Sequence, residues 1–266
     1  MEKKEIEKSI IKKYRKEIWR KFTKAVTDYQ LISDGDKIAV CISGGKDSFL
    51  LAKCLEEIKR HGKIKFDLEF ICMDPGYDLK YKETNALNAE KLGIKLNIFS
   101  TNVFEVSKKL NEKSPCYLCA RMRRGYLYDY AKSLGCNKIA LGHHFDDIIE
   151  TTLLNIFYNG KYETMLPKVQ SDNFERMQLI RPLAYVKEKD IISWSKYINV
   201  NFIGCACGFK KENSKREYIK DLIKKLKIDN EFIDKNIFKS AQNVNLSQIQ
   251  GYYKDEKRHN FLENFK

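Results

Sequence analysis

The sequence predicts an α/β fold built on a mainly parallel, Rossmann-like sheet. Short apolar runs alternate with helical stretches from residue 37 to about 186, and two of these runs end in glycine-bearing loops that lead straight into a helix. The chain also opens with a basic amphipathic segment and reads as helical from Lys187 onward. The expected organisation is a basic amphipathic helix over 1–34, an α/β body over 35–186 and a mainly helical, basic C-terminal region over 187–266.

Each element has its own warrant. Ile6, Ile10, Tyr14, Ile18, Phe22, Val26 and Tyr29 recur at three- and four-residue steps among charged residues, the pattern of one amphipathic helix over residues 1 to about 33. Such a helix must cover either the body of its own domain or a partner subunit, so a homodimer belongs among the expected assemblies. Lys37–Ile42 is a buried strand and Asp47–Arg60 the helix after it. Phe66–Met73 is a second strand, Thr84–Leu92 a helical stretch and Leu96–Ser100 a third strand. A helix follows the Cys116–Cys119 segment through about Leu134, then a fourth strand, Lys138–Leu141. The helix Asp146–Tyr158 precedes a fifth strand, Gln178–Ile180. Strands joined through helices run parallel with both faces covered, and a ligand then binds at their carboxyl ends. Residues 209–228 are strongly basic, and neither an internal repeat nor a low-complexity linker is present.

Composition narrows the function classes. The 266 residues carry 50 Lys and Arg against 36 Asp and Glu, a formal charge of +14, and 43% are hydrophobic. With 15 Phe, 15 Tyr and 2 Trp the chain has the means to build a core, which argues against disorder. No apolar run approaches the ~18 residues of a membrane span, and the charged N-terminus lacks the apolar centre of a signal peptide. A cytoplasmic protein without a membrane partner is expected. Excess positive charge fits a polyanionic partner as well as a solvated surface. Arg121, Arg123 and Arg124 cluster within four positions.

The most informative segment is Ala39-Val-Cys-Ile-Ser-Gly-Gly-Lys-Asp-Ser48. A buried strand ends in Ser43-Gly44-Gly45 and a helix begins at once. Two glycines let backbone N–H groups approach a phosphate, and the helix N-terminus adds partial positive charge. Ser43 and Ser48 offer hydroxyls, Lys46 neutralises phosphate charge and Asp47 can help hold Mg2+. The spacing is not that of a Walker A loop. Gly142-His-His-Phe-Asp-Asp147 follows the fourth strand and so reaches the same end of the sheet. Asp146 and Asp147 suit a helix N-terminus on electrostatic grounds alone. As a functional group, Asp147 would act as a base or Mg2+ ligand, supported by His143 and Asp146. Met73, closing the second strand, and Gly142, following the fourth, complete the expected nucleotide-binding set.

Of eight cysteines, Cys41, Cys54, Cys72 and Cys136 lie in or beside apolar segments and read as small hydrophobes. Cys116-x2-Cys119 and Cys205-x-Cys207 read as metal ligands. Zinc would take all four thiolates; an iron–sulfur cluster can use three and leave one iron open.

The loop Ser43–Ser48 resembles the SGGxDS pyrophosphate loop of the PP-loop ATPases, which adenylate substrates and release pyrophosphate. That superfamily has an adenine nucleotide alpha-hydrolase-like fold. The ordered set of this loop, Cys116-x-x-Cys119 with Arg123-Arg124-Gly125, Lys138 to Asp147, Arg181-Pro-Leu-Ala-Tyr185 and a later Cys-Gly resembles the tRNA 2-thiocytidine synthetases over most of residues 35–250. The resemblance implies an ATP-dependent, Mg2+-using sulfurtransferase. It would carry a [4Fe-4S] cluster on Cys116, Cys119 and Cys207, adenylate a cytidine in a tRNA anticodon loop and replace its C2 oxygen by sulfur. Sulfide or a cysteine desulfurase would supply the sulfur. Asp47, Arg123 and Asp147 would do the chemistry. From its own lysines, Lys210–Lys227 reads either as a tRNA-docking surface together with the N-terminal helix or as a solvated helix face. The family usually shows Cys-x2-Cys where this chain has Cys205-Ala-Cys207, so Cys205 remains a candidate for the third ligand. An iron–sulfur desulfurase, a lysidine synthetase-like enzyme and a basic RNA-binding protein with structural zinc are the alternatives.

Overall fold

The computed structural model describes residues 1–76, 78–110, 115–204 and 214–265, with the side chains of 107–110, 115–120 and 264 outside that description. The described chain divides into two units by contacts, one of Met1–Ile148 and Met165–Ser214, the other of Ile149–Thr164 and Lys215–Lys266.

In the first unit the strands are β1 (Lys37–Cys41), β2 (Asp67–Asp74), β3 (Leu96–Ser100), β4 (Lys138–Ala140), β5 (Lys168–Gln170) and β6 (Gln178–Ile180). They form one sheet in the order β3-β2-β1-β4-β6-β5, parallel except for the antiparallel edge strand β5. Because side chains alternate across a strand, β1 divides its residues between two cores. Ile38 and Val40, with Ile42 just beyond the strand, join one, Ala39 and Cys41 the other. The first core also takes Phe49, Leu50, Leu51 and Leu55 of α3 (Lys46–His61), Phe70 and Cys72 of β2, and Trp194 of α8 (Glu188–Tyr197). The second is closed by Tyr128 and Ala131 of α6 (Pro115–Ser133) against Ile139 and Leu179. Cys41, Cys54, Cys72 and Cys136 are all buried, as small hydrophobes are expected to be. Burial pushes the Cys41 thiol up to about 12 and those of Cys72 and Cys136 up to about 11, so none is a reactive thiolate.

The N-terminal helix covers its own domain. Ile6, Ile10, Ile18 and Phe22 are fully buried in the first core, with Tyr14 and Val26 nearly so. It is not the single α-helix that the sequence pattern predicts. α1 (Lys3–Lys8) and α2 (Arg20–Asp28) flank two π-helical turns, Ser9–Lys13 and Arg15–Trp19. The physical reason lies in the spacing of Ile6, Ile10, Tyr14, Ile18, Phe22 and Val26, which is a strict four. In a pure α-helix a row at that spacing rotates by about 40° per step and Val26 would lie roughly 200° from Ile6. Ten residues at the ~4.4 residues per turn of a π-helix reduce the drift to about 20°. The segment is anchored by polar contacts too. Trp194 Nε1 donates to Ser9 Oγ at 3.2 Å and Tyr14 Oη to Ser193 O at 3.0 Å. Lys53, fully buried in α3, bonds Glu7 Oε1 at 2.7 Å and Leu92 O at 3.0 Å. Burial by itself would raise the Glu7 carboxyl, but hydrogen bonds from Arg60 and Lys53 bring it down to about 2.

Two further elements complete this unit, α4 (Leu79–Leu92) and α5 (Val103–Leu110). α4 starts five residues before the helical stretch read from the sequence, at an N-cap where Asp78 accepts from Tyr81 N–H at 2.8 Å.

In the second unit, α7 (Phe145–Asn159) contributes its turns from Ile149 on, followed by α9 (Lys215–Asp229) and α10 (Ile233–Ser240). Arg216 pairs with buried Glu150 at 3.5 Å and Lys227 with Asp234 at 2.6 Å. Beside its helices the C-terminal region holds a hairpin, β7 (Gly251–Lys254) and β8 (Lys257–Asn260), which the sequence reading did not include. Its turn residues Asp255 and Glu256 both have positive φ, +48° and +63°, so the turn lacks the glycine or asparagine that announces a hairpin in sequence. Of the basic stretch 209–228, α9 holds the part from Lys215, and 209–213 lie outside the described residues. No described helix is long and apolar enough to cross a membrane.

Candidate active site

The strand order reverses direction between β1 and β4, and in open parallel sheets that switch point is where ligands bind. The two glycine-bearing segments meet there. Gly44 has φ +81°, the left-handed conformation that lets the chain turn out of β1, and a Cβ on it would fall 2.8 Å from the Tyr81 hydroxyl. Tyr81 Oη donates to Ser43 O and fixes that turn from α4. Gly45 caps α3 in an extended conformation. Ser43 N–H donates to Ser48 Oγ at 3.2 Å, and Ser48 Oγ donates to Gly45 O at 2.9 Å. The loop is thus held in shape by its own serines, at the N-terminus of a 16-residue helix. Gly142 follows β4, and its Cα lies so close to α3 that a Cβ would stand 3.0 Å from Asp47 C and Ser48 N.

Around this junction is a cavity of about 430 Å3 lined by Ser43, Asp47, Ser48, Arg123, Gly142 and Asp147, with Arg124, Tyr128 and His143 at its wall. Met73 lines a small adjoining space of about 40 Å3 with Ser43, Tyr81 and Arg123. Of the expected set, Ser43, Asp47, Ser48, Arg123, Gly142 and Asp147 therefore converge on one cavity and Met73 on its neighbour. Gly44 and Gly45 shape the loop. Lys46 bonds Asp47 Oδ2 at 3.2 Å and Glu188 Oε1 at 3.3 Å.

The acidic groups form one cluster. His144 N–H donates to Asp147 Oδ2 at 3.0 Å, its Nδ1 lies 3.4 Å from the same carboxylate, and its Nε2 lies 3.9 Å from Asp47 Oδ1. Asp146 Oδ2 accepts from Glu188 N–H at 2.6 Å and so ties the β4 loop to the start of α8. His143 accepts at Nδ1 from Arg181 Nε at 3.3 Å, which places His144 as the imidazole against the acids and turns His143 toward the RPLAY segment. Burial pulls the Arg181 guanidinium down to about 10, still protonated at neutral pH. Sequence reasoning missed His144, Glu188 and Tyr81. The His-His pair was a visible signal for the first, whereas nothing local marks the other two.

Asp47 Oδ1 supplies a test for a bound cation. It is shut off from solvent and accepts no well-aligned hydrogen bond among the described residues, its nearest cation being the Lys46 ammonium at 3.2 Å, and burial raises the carboxyl's pKa above the ordinary aspartate value. A carboxylate oxygen closed to water, with Asp147 on the same cavity, is the donor chemistry of a hard divalent ion such as Mg2+, which would share it with the Lys46 ammonium. For the metal cluster, Cys116 and Cys119 stand three positions apart in the first two turns of α6. Arg123 follows Cys119 by four residues, ~6 Å along a helix axis. Thiolate sulfur is the donor chemistry of iron–sulfur clusters. The side chains of Cys116 and Cys119, and Cys205 and Cys207 altogether, lie outside the described residues.

A phosphate loop at a parallel-sheet switch point, facing an acidic cluster and an arginine, defines a nucleotide-binding α/β protein of the PP-loop class. Consistent with this, the family described as "PP-loop domain" matches residues 14–245. The chain is 40% identical over 245 residues to the tRNA-cytidine(32) 2-sulfurtransferase of Alcanivorax borkumensis, covering 90% of this chain and 84% of that one. It is 38% identical over 248 residues to tRNA-cytidine(32) 2-sulfurtransferase 1 of Francisella tularensis subsp. novicida, covering 91% of each. The U34-tRNA thiolase NcsA from Methanococcus maripaludis, solved with its [4Fe-4S] cluster, shares the fold, with a TM-score of 0.68 at 21% identity over 88% of this chain and 80% of that one. The chain belongs to the tRNA-cytidine(32) 2-sulfurtransferase family of PP-loop proteins.

Proposed function

We propose that the chain is an ATP-dependent tRNA thiolase that adenylates a cytidine in the anticodon loop and exchanges its C2 oxygen for sulfur. The observation that carries this reading is the convergence of Ser43, Asp47, Ser48, Arg123 and Asp147 on one cavity at the switch point. Backbone N–H groups of Ser43 to Ser48 hold the phosphates of ATP. The C2 oxygen of the base attacks the α-phosphorus and pyrophosphate leaves. The planar fork of Arg123 stabilises charge developing on the phosphate. Asp47 would hold Mg2+, with Asp147 as its second ligand or as the base, and the ion would supply neutralisation of phosphate charge. Hydrosulfide then attacks C2, AMP departs with the original oxygen, and Asp147 lies on the same cavity to take up the proton. Cys116, Cys119 and Cys207 would hold a [4Fe-4S] cluster, which would supply a binding site for sulfide.

Anaerobically purified, cluster-loaded protein is incubated with unmodified tRNA, ATP, Mg2+ and sulfide, and the nucleosides are examined by mass spectrometry. Sulfur-for-oxygen exchange at a cytidine, with one pyrophosphate released per exchange, is the expected result. Absence of exchange with tRNA still bound, or sulfur loss from thiolated RNA without ATP, would replace this reading by a desulfurase.

A further inference from the structure

The four-residue regularity of the N-terminal helix governs its outer side as well. Opposite the buried row lie Lys4, Lys8, Lys12, Lys16, Arg20 and Lys24, again spaced by four and all exposed. The π-helical turns that keep the apolar row straight keep this row straight as well, since both ride on the same backbone. The result is six cations in line, ~5–6 Å apart and about 30 Å end to end. Among the described residues Lys8, Lys12, Lys16 and Arg20 form no ion pair, while Lys24 pairs with Asp28 at 2.7 Å. Glu17, half-buried, is the one acid within the span from Lys8 to Lys24 that is not buried. Six like charges in a line are mutually repulsive and gain nothing from folding. They become favourable when an extended polyanion lies along them and its counterions are released.

We propose that this row is a phosphate-binding rail for the sugar–phosphate backbone of the RNA substrate. The choice of occupant follows from three facts. The cations run in one line, as phosphates along a strand do. The chain as a whole carries +14. The helix's apolar row is buried in its own domain, with Ile6, Ile10, Ile18 and Phe22 fully covered. A basic amphipathic helix that binds membranes inserts that apolar face, and here none is left to insert. The rail rests on RNA being the substrate, but it binds backbone and so operates without ATP or sulfide.

The test is equilibrium binding of a tRNA transcript without ATP and sulfide, over a range of salt concentrations. The full-length variant carries Lys8→Gln, Lys12→Gln, Lys16→Gln and Arg20→Gln, exchanges that preserve helix propensity. A control variant carries Lys63→Gln, Lys65→Gln and Lys95→Gln, which are exposed at the amino ends of β2 and β3, away from the phosphate loop. Loss of four phosphate contacts should reduce the slope of log Kd against log salt by about 3, and the control should retain the wild-type slope. An unchanged slope in the rail variant, an equal loss in the control, or wild-type protein that binds anionic vesicles but not tRNA would each overturn the proposal. Wild-type protein that binds tRNA steeply but incorporates no sulfur would overturn the thiolase reading and leave the rail standing.

Discussion

Replacing Gly142 by alanine tests whether the contact between the β4 loop and α3 builds the nucleotide site. The added methyl would stand 3.0 Å from Asp47 C and Ser48 N and 3.2 Å from Asp47 O. Non-bonded carbons prefer about 3.5–4.0 Å, so the two segments must part by roughly half an ångström. Neither side can yield by rotating a side chain, because both are backbone. Overpacking of this kind costs ~1–3 kcal/mol, and the displacement falls on the first turn of α3, where phosphate would be held. If most of that cost is expressed in binding, the Kd for ATP rises ~10- to 100-fold. Gly125→Ala is the matched control. A Cβ there meets nothing within 4 Å, and α6 gains a better helix former by up to ~1 kcal/mol. Calorimetric titration with a non-hydrolysable ATP analogue, alongside thermal unfolding, reads both. Gly142→Ala binding within twofold of wild type would refute the reasoning, as would an equal loss in Gly125→Ala.

Three other outcomes are expected. Asp47→Asn should lower ATP-dependent thiolation ~100-fold while raising Tm, because a carboxyl whose pKa is raised by burial destabilises the fold wherever it is ionised; a lower Tm at neutral pH would contradict this. Cys119→Ser should abolish both thiolation and the brown iron–sulfur absorbance, whereas Asp47→Ala should abolish only thiolation; thiolation surviving Cys119→Ser would remove the cluster from the chemistry. Glu7 has its pKa lowered from 4.5 to about 2, so its stabilisation is complete above pH 4.5 and is lost as pH falls toward 2. With Arg60 half-exposed, that is ~2 kcal/mol after allowance for screening, and Glu7→Gln should flatten the acid limb of a urea-unfolding profile taken from pH 7 to pH 2.

Much of the fold was legible because parallel strands buried on both faces are written as unbroken apolar runs. β1, β4 and the Phe70–Met73 half of β2 coincide with one, while β3 and β6 were marked by shorter apolar stretches between turn signals. The edge strand β5 escaped because it is three residues long, with two of them largely exposed, and carries no such run. The hairpin at 251–260 escaped because its turn uses Asp255 and Glu256 in place of glycine. The π-helical turns were present in the strict spacing of the apolar row, but an amphipathic pattern does not by itself separate 3.6 from 4.0 residues per turn. At the site, Ser43 to Ser48 and Gly142 to Asp147 were readable because each leaves the end of a strand. Glu188 and Tyr81 were not, because they reach the loop from 142 and 38 residues away.

The anchoring of the N-terminal helix has a consequence for how the chain is made. Ser9 meets Trp194 across 185 residues and Tyr14 meets Ser193 across 179. At ~5–20 residues per second, the helix waits roughly 10 to 40 seconds for these two partners. During that interval Ile6, Ile10, Ile18 and Phe22 lack the cover of α8, on the same backbone that carries the row of cations. That density of positive charge beside the apolar row keeps neighbouring nascent chains apart by repulsion. A segment made 179 to 185 residues ahead of these partners is in this way among the last to be fully enclosed.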